Sequence, residues 1–241
     1  MNNFSSVFGL NFTESSLSTL GSEILSGQHS GKVIVTPNVD HVVRFHKDVE
    51  FRSIYQKSDI FVNDSRILRL LSSFGLQKIN SLIPGSDLTE WLFDNITPST
   101  RITIIGASAD TIDIVRLKYN SNDVRHYNPP MGFINDEVEI NKCLEFCESN
   151  SADIYFFAVG SPRQEFLANL LKEKGNKGAF LCIGASILFL AGEEKRAPVF
   201  MQKMNLEWLY RLTQDPKRLA KRYLVDGLRI FPIYLRELMK R

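Results

Sequence analysis

The stretch DIYFFAVGSPRQEFLANLLKEKGNKGAFLCIGAS, from Asp153 to Ser186, indicates the fold. It begins with an apolar run to Val159, turns at Gly160-Ser161-Pro162, continues as a helix over Arg163–Lys174 and returns as the apolar run Ala179–Ile183. A strand, a helix and a second strand in this order form a right-handed βαβ unit with parallel strands. Both runs are continuously apolar, as expected of strands that helices cover on both faces.

The same alternation extends through most of the chain. Further strands are predicted over Lys32–Asn38, Asp59–Asn63 and Arg101–Ile105. Helices are predicted over Asp40–Tyr55, over Ser65–Phe74, from a cap at Ser86 and Asp87 to Asn95, and over Asp136–Ser149. After Gly192 only helical patterns follow. We therefore predict a Rossmann-like α/β domain over residues 1–195, with a parallel sheet flanked by helices, and a helical appendage over residues 196–241.

The charge of the chain is small but unevenly distributed. The composition is that of a globular protein, with 44% hydrophobic residues and a net charge of +2 over 241 residues. The segment from Arg211 to the C-terminus nevertheless contains nine Lys or Arg and three Asp or Glu. This end therefore favours an anionic partner, whereas the small overall charge argues against a nucleic-acid partner.

The N-terminus and the cysteines predict a cytoplasmic protein. The first residues, MNNFSSVFGLNF, lack the charged start and apolar run of a signal peptide. No apolar stretch reaches the roughly 20 residues of a membrane-spanning helix. The chain has three cysteines, of which Cys143 and Cys147 share one helix face. This arrangement favours buried thiols over a disulfide framework or a metal site.

Polar residues follow several predicted strands, where open parallel sheets bind their ligands. Asp64 is either an N-cap that accepts backbone N–H groups or a general base. Thr36 and Asn38 either form a turn or recognise a ligand. Small residues form turns at three further strand ends: Gly106–Ser108, Gly160–Ser161 and Gly184–Ser186.

The βα turn after Val159 places Gln164 in the first turn of a helix. Its amide either faces solvent or reaches a ligand, whereas Arg163 and Glu165 are expected at the surface. The G-x-G-x-x-G and Walker patterns do not occur, which disfavours nicotinamide, flavin and NTPase functions and predicts no cofactor. Helix N-termini and arginines together instead indicate diphosphate binding.

Short motifs along most of the chain resemble those of the WecG/TagA/CpsF glycosyltransferases. They are TPNVDHV (Thr36–Val42), VNDSR (Val62–Arg66), IPGSDL (Ile83–Leu88), GSPRQE (Gly160–Glu165), AGEEKRAP (Ala191–Pro198), LEWLYRL (Leu206–Leu212) and the Pro-x-Arg sequence Pro216–Arg218. The resemblance implies an inverting enzyme that moves a sugar from a UDP-sugar to a polyprenyl-diphosphate-linked acceptor. It also implies cell-surface polysaccharide synthesis at the inner face of the plasma membrane.

The resemblance implies roles for individual residues. Asp64 becomes the catalytic base, although this chain has Asn63-Asp64-Ser65 where the family usually has Pro-Asp-Gly. No Asp-x-Asp pair is present to hold a divalent metal, so we predict metal-independent transfer in which basic residues neutralise the leaving UDP. Ile187-Leu188 replaces a common aromatic-Asp pair, which leaves the donor sugar open. The implied substrate-binding residues are Thr36, Asn38, Gly106, Gly132, Gly160, Ser161 and Gln164, and the implied diphosphate-binding residues are Arg211, Arg218, Lys221 and Arg222.

The C-terminal helix carries an apolar stripe beside arginines. The stripe consists of Leu224, Leu228, Phe231, Leu235 and Leu238, and the arginines are Arg218, Arg222, Arg229 and Arg236. This pattern is typical of a helix on anionic lipid, and also of one packed on its own domain or on a neighbouring subunit of a homo-oligomer. Two functions without catalysis also stay open, a nucleotide-binding regulatory protein and a peripheral membrane scaffold.

Overall fold

The computed structural model describes residues 4–120, 123–195, 197–198, 200–201, 204 and 206–239; the side chains of Arg218, Arg222 and Tyr223 lie outside that description. Its centre is a sheet of eight strands: β1 (Phe4–Val7), β2 (Leu10–Thr13), β3 (Val33–Val35), β4 (Ile60–Phe61), β5 (Ile102–Ile105), β6 (Val124–Tyr127), β7 (Ile154–Phe157) and β8 (Ala179–Cys182). Their order across the sheet is β1-β2-β4-β3-β8-β7-β5-β6. Only β1 and β2 pair antiparallel, so the predicted α/β class is confirmed.

Helices lie on both faces of the sheet. They are α1 (Leu17–Leu25), α2 (Val39–Lys47), α3 (Val49–Tyr55), α4 (Arg66–Ser72), α5 (Gly85–Asn95), α6 (Ala109–Tyr119), α7 (Glu137–Ser149), α8 (Arg163–Glu173), α9 (Ser186–Ala191), α10 (Glu207–Gln214), α11 (Pro216–Ala220) and α12 (Ile230–Met239). A π-helical segment, Lys221–Asp226, and a 3₁₀ turn, Gly227–Arg229, join the last two. In the described ranges no helix combines the length and apolar character needed to cross a membrane.

Three of these strands are absent from the sequence-based prediction. β1 and β2 are joined by Phe8 and Gly9, whose φ angles of 56° and 78° suit the two-residue turn of a twisted hairpin. A Phe at the first of these positions is not a typical turn signal, which hides the hairpin in the sequence. β6 reads VRHY and lies at the edge of the sheet. Of its four residues only Val124 is fully buried, so β6 lacks the continuous apolar run of strands that are covered on both faces.

Two predicted helices have different boundaries in the structure. The helix expected over Asp40–Tyr55 is interrupted at Asp48, whose carboxylate accepts a hydrogen bond from the N–H of Phe51 at 3.0 Å and so caps α3. The cap expected at Ser86 and Asp87 is wrong, because α5 already begins at Gly85 and has no side-chain cap. This early start leaves the backbone N–H of Gly85 available to another partner.

Two hydrophobic clusters cover the two faces of the sheet, and β7 contributes to both. Tyr155 and Phe157 belong to one cluster, whereas Ile154 and Phe156 belong to the other. Successive strand residues face opposite sides, so a strand covered on both sides is apolar throughout. Burial of each such side chain contributes about 1.5–3 kcal/mol to folding.

The C-terminal helix α12 packs partly into this core. Ile230 and Ile233 are buried in the same cluster as Tyr155 and Phe157. The opposite side of α12 is exposed, with Phe231 at 51% and Leu235 at 56% of full exposure. The predicted division at residue 195 stays a prediction, although the tail shares part of its core with the sheet domain.

Parallel pairing aligns the strand ends that precede the predicted site residues. Val35 pairs with Phe61 on one side and with Cys182 on the other, and Phe157 also pairs with Cys182. The residues that follow β3, β4, β7 and β8 therefore meet at one edge of the sheet.

The close approach of neighbouring strand ends can be tested at Gly106, directly after β5. It has a φ of +102°, and a Cβ added there would lie 2.8 Å from the carbonyl carbon of Ala158. We expect Gly106→Ala to lower the free energy of unfolding by about 2–4 kcal/mol, from backbone strain and steric overlap together. Gly31→Ala is the matched control, because Gly31 also has a positive φ but no atom within 4 Å of the added Cβ. Urea denaturation of both variants measures the difference, and equal losses would contradict it.

Candidate active site

A cavity of about 680 Å³ lies at the carboxyl ends of the parallel strands. Of the twelve residues predicted as catalytic, substrate-binding or diphosphate-binding, seven line it: Thr36, Asn38, Asp64, Gly160, Ser161, Gln164 and Arg211. Three others that the structure describes, Gly106, Gly132 and Lys221, do not line it. The side chains of Arg218 and Arg222 lie outside the described part of the chain.

Asp64 lines this cavity. Its backbone N–H donates to the carbonyl of Pro37 at 3.1 Å, and its Oδ1 accepts from the N–H of Gly85 at 3.1 Å. The N-cap of α4 is Ser65, whose hydroxyl accepts from the N–H of Leu68 at 3.2 Å. The N-cap interpretation of Asp64 is therefore wrong, because its carboxylate accepts a hydrogen bond from the first residue of α5 and does not cap α4.

The environment of Asp64 makes its carboxylate unusually basic. Burial raises the pKa of Asp64 from 3.8 to about 6, and the nearby charge of Glu207 acts in the same direction. Arg211 and the hydrogen bonds from Gly85 and the Asn38 side chain oppose this rise in pKa. The result is a group that is mostly ionised at neutral pH and still accepts a proton readily.

Asn63 and Asn38 hold the backbone around Asp64. The fully buried Asn63 accepts from the N–H of Ser65 at 3.0 Å and donates to the carbonyl of Ser81 at 3.0 Å. Asn38 is the N-cap of α2, and its Oδ1 accepts from the N–H of Asp40 at 3.1 Å. These side chains fix the start of α2 and the strand end after β4, and thus the position of the carboxylate between them.

Gln164 and Glu165 form a buried polar pair beside the cavity. The Gln164 Oε1 accepts from the N–H of Gly184 at 3.0 Å, and its Nε2 donates to the Glu165 Oε1 at 2.9 Å. The two side chains are 4% and 1% exposed, so the solvent-facing alternative for Gln164 and the surface position expected for Glu165 are both wrong. Burial raises the pKa of Glu165. Because α8 starts directly at the turn after β7, its first residues pack against the end of β8.

Arg44 is a cavity residue that the sequence analysis missed. It lies on α2 and lines the cavity, with its guanidinium carbon 4.2 Å from the ring centre of Phe51 and Nη1 4.0 Å from Asp40. Nη1 also lies 3.4 Å from the carbonyl of Ser161. The i to i+4 spacing from Asp40 is the one sequence signal that could have indicated it. Arg163, expected at the surface, also lines the cavity.

A second cavity, of about 380 Å³, shares Asp64 with the first. Its walls are mainly apolar and come largely from the C-terminal segments, with Trp208, Leu224, Leu228 and Phe231. Arg211 also lines both cavities; its Nη2 lies 3.0 Å from Glu207. Asp64 therefore lines both a polar cavity and a mainly apolar one.

Comparison with known proteins identifies the family. Residues 5–241 match the model of the WecG/TagA/CpsF family of glycosyl transferases. The chain belongs to this family. It is therefore a glycosyltransferase, as the motifs predicted.

Two relatives carry the same name, N-acetylglucosaminyldiphosphoundecaprenol N-acetyl-beta-D-mannosaminyltransferase. The protein of Bacillus spizizenii is 26% identical over 217 residues, which cover 87% of this chain and 82% of the relative. The protein of Bacillus subtilis is 28% identical over 194 residues, which cover 79% of this chain and 75% of the relative.

The described residues contain no group of three or more His, Cys, Asp or Glu that could hold a metal ion. The three cysteines are buried and unpaired, and burial raises the pKa of the Cys143 thiol to about 12. A thiol with so high a pKa stays protonated at neutral pH and is a poor nucleophile.

The raised pKa of Asp64 predicts that its charge destabilises the folded protein. A carboxyl whose pKa rises from 3.8 to about 6 on folding contributes stability at low pH that is lost as the pH rises through 6. Asp64→Asn should therefore be more stable than the wild type by roughly 1–3 kcal/mol at pH 8, and by little at pH 4. Denaturation at both pH values measures this, with the exposed Asp113→Asn as control. A loss of stability at pH 8 would mean that Arg211 outweighs the cost of burial.

Proposed function

We propose that this protein is an inverting glycosyltransferase that moves a sugar from a UDP-sugar to a polyprenyl-diphosphate-linked acceptor during synthesis of a cell-surface polysaccharide. The observation that carries the proposal is the position of Asp64, a basic carboxylate that lines both a polar and an apolar cavity. The names of both relatives describe transfer to such a lipid-linked sugar.

The polar cavity suits the UDP-sugar. Arg44, Arg163 and Arg211 line it, and guanidinium groups bind phosphate oxygens through paired hydrogen bonds. Gly160 and Ser161, at the start of the turn into α8, and Gln164 line the same cavity. These cations can neutralise the diphosphate without a metal, so metal-independent transfer remains our prediction.

The reaction needs one base and one stabilised leaving group. The acceptor hydroxyl attacks the anomeric carbon of the donor sugar while Asp64 takes the hydroxyl proton. The bond from that carbon to the diphosphate oxygen breaks, and its electron pair leaves with UDP. The arginines stabilise the negative charge that develops on this oxygen. Attack from the side opposite UDP inverts the anomeric configuration.

Loss of the Asp64 carboxylate should abolish turnover. Asp64→Asn is expected to lower kcat by about 10²–10⁴-fold, because a positioned base contributes this much to a proton transfer. UDP affinity, measured by calorimetry, should stay within a few-fold, which separates catalysis from binding. Asp113→Asn, on the exposed face of α6, is the control.

The pH profile supplies a second measurement on the same assay. The wild-type kcat/KM should fall about tenfold per pH unit below pH 6, because the base must be deprotonated to act. Asp64→Asn should lose this dependence in its residual activity. Near-normal turnover of Asp64→Asn would favour a role for Asp64 in structure alone, and UDP binding by a wild type without turnover would favour the regulatory alternative.

We further propose that the protein works as a peripheral protein on the inner face of the plasma membrane, with the exposed side of the C-terminal segment on the lipid. Four residues of the predicted stripe, Leu224, Leu228, Phe231 and Leu235, are each more than half exposed, whereas Leu238 is partly buried. Leu224, Leu228 and Phe231 also line the apolar cavity. A lipid-linked acceptor could therefore pass from the bilayer to Asp64 along one apolar surface.

Point substitutions test the membrane proposal better than truncation. Removal of α12 would also remove Ile230 and Ile233 from the core. Phe231→Ser with Leu235→Ser should reduce binding to phosphatidylglycerol vesicles at least several-fold and leave UDP affinity unchanged, since burial of a large apolar side chain contributes about 1.5–3 kcal/mol. Leu117→Ser, at an 84% exposed position on α6, is the control. Unchanged vesicle binding together with dissociation of an oligomer would favour a neighbouring subunit instead.

A further inference from the structure

Arg66 is a cation of the apolar cavity to which no role has been assigned. It is the first residue of α4, two positions after Asp64, and both residues line this cavity. The Arg66 Nε is buried and has no hydrogen-bond partner among the residues that the structure describes. A buried N–H group without a partner costs free energy, so a ligand that accepts its hydrogen bond would bind favourably.

The other charged groups of this cavity already lie close to partners of opposite charge. Asp40 lies 4.0 Å from Arg44, and Glu207 lies 3.0 Å from Arg211. Asp64 lies in the field of Arg211, which lowers its pKa against the effect of burial. Arg66 forms no such ion pair with an acid in the described ranges. Arg66 is therefore the charged group of this cavity for which an anionic ligand would supply the missing partner.

The remaining walls define what kind of anion fits. The cavity that Arg66 lines is also lined by the apolar residues Trp208, Leu224, Leu228, Ile230 and Phe231. A free phosphate would leave that surface uncovered, whereas an anion attached to a hydrocarbon chain would cover it. The guanidinium would form paired hydrogen bonds to phosphate oxygens.

We propose that Arg66 binds the diphosphate of the lipid-linked acceptor, while the hydrocarbon chain lies along the apolar wall towards the exposed side of α12. This inference rests on the proposed function and adds a second diphosphate site, separate from that of the donor. With its diphosphate on Arg66, the acceptor presents its sugar to Asp64, because both residues line the same cavity.

Kinetics of Arg66→Gln test the assignment. The acceptor KM should rise about 10–100-fold, as expected from loss of a charge-assisted hydrogen bond, while the donor KM changes less than about twofold. Arg66→Lys should be intermediate, since it keeps the charge but not the paired geometry. Arg69→Gln, on the same helix but outside the cavity lining, should behave as the wild type. An unchanged acceptor KM in Arg66→Gln, or a rise in the donor KM alone, would overturn the proposal.

A binding measurement separates this proposal from the proposed function, because it needs no turnover. Farnesyl diphosphate should bind the wild type and bind Arg66→Gln about 10–100-fold more weakly, with calorimetry or the emission of Trp208 as the readout. Farnesyl monophosphate should bind the wild type more weakly than the diphosphate, and the difference should shrink in Arg66→Gln. If the wild type binds the diphosphate through Arg66 but transfers no sugar, the proposed function fails and the Arg66 site stands. If transfer occurs and both variants bind equally, only the Arg66 site fails.

Discussion

Parallel pairing of β3 with both β4 and β8 is the constraint on which the site depends. It sets Val35 level with Phe61 and with Cys182, so β3, β4 and β8 end at the same height although β8 lies more than a hundred residues further along the chain. Thr36, Asp64 and Gly184 follow these ends and line one cavity for that reason. A shift of one residue in either pairing would also turn the buried faces of the strands to the wrong side. The hydrophobic core and the geometry of the site therefore depend on one register.

The buried carboxylate of the site lowers the net stability that the hydrophobic core provides. The carboxylate of Asp64 sits where burial raises its pKa to about 6, which opposes folding at neutral pH and favours proton abstraction. Its position is maintained by groups that are themselves fixed: the N–H of Gly85, the capping Asn38 and the buried Asn63. The change from Pro-Asp-Gly to Asn63-Asp64-Ser65 thus leaves a backbone held by side-chain hydrogen bonds instead of by proline.

The C-terminal segments contribute to both the donor cavity and the acceptor cavity of the proposed reaction. Ile230 and Ile233 attach α12 to the sheet domain, and Arg211 of α10 lies between the two cavities. The same segments supply most of the apolar lining of the cavity that contains Asp64. A chain end that is at once core, cavity wall and exposed apolar surface can couple contact with a lipid to the position of the acceptor. The proposed coupling would account for the amphipathic pattern and the basic charge that coincide in this stretch of sequence.

The sequence by itself determined the elements that depend on local chemistry. Continuous apolar runs and glycine turns predicted five of the strands and most helices, and a carboxylate directly after a strand indicated Asp64 as a site residue. Tertiary structure decided what depends on distant partners. The edge strand β6 exists because β5 is beside it, and Glu165 is buried because α8 starts against the end of β8. Arg44 and Arg66 became cavity residues, and Gly106 a point of close packing, only once the strands were paired. Burial and electrostatic environment are properties of the assembled neighbourhood, so no window of sequence contains them.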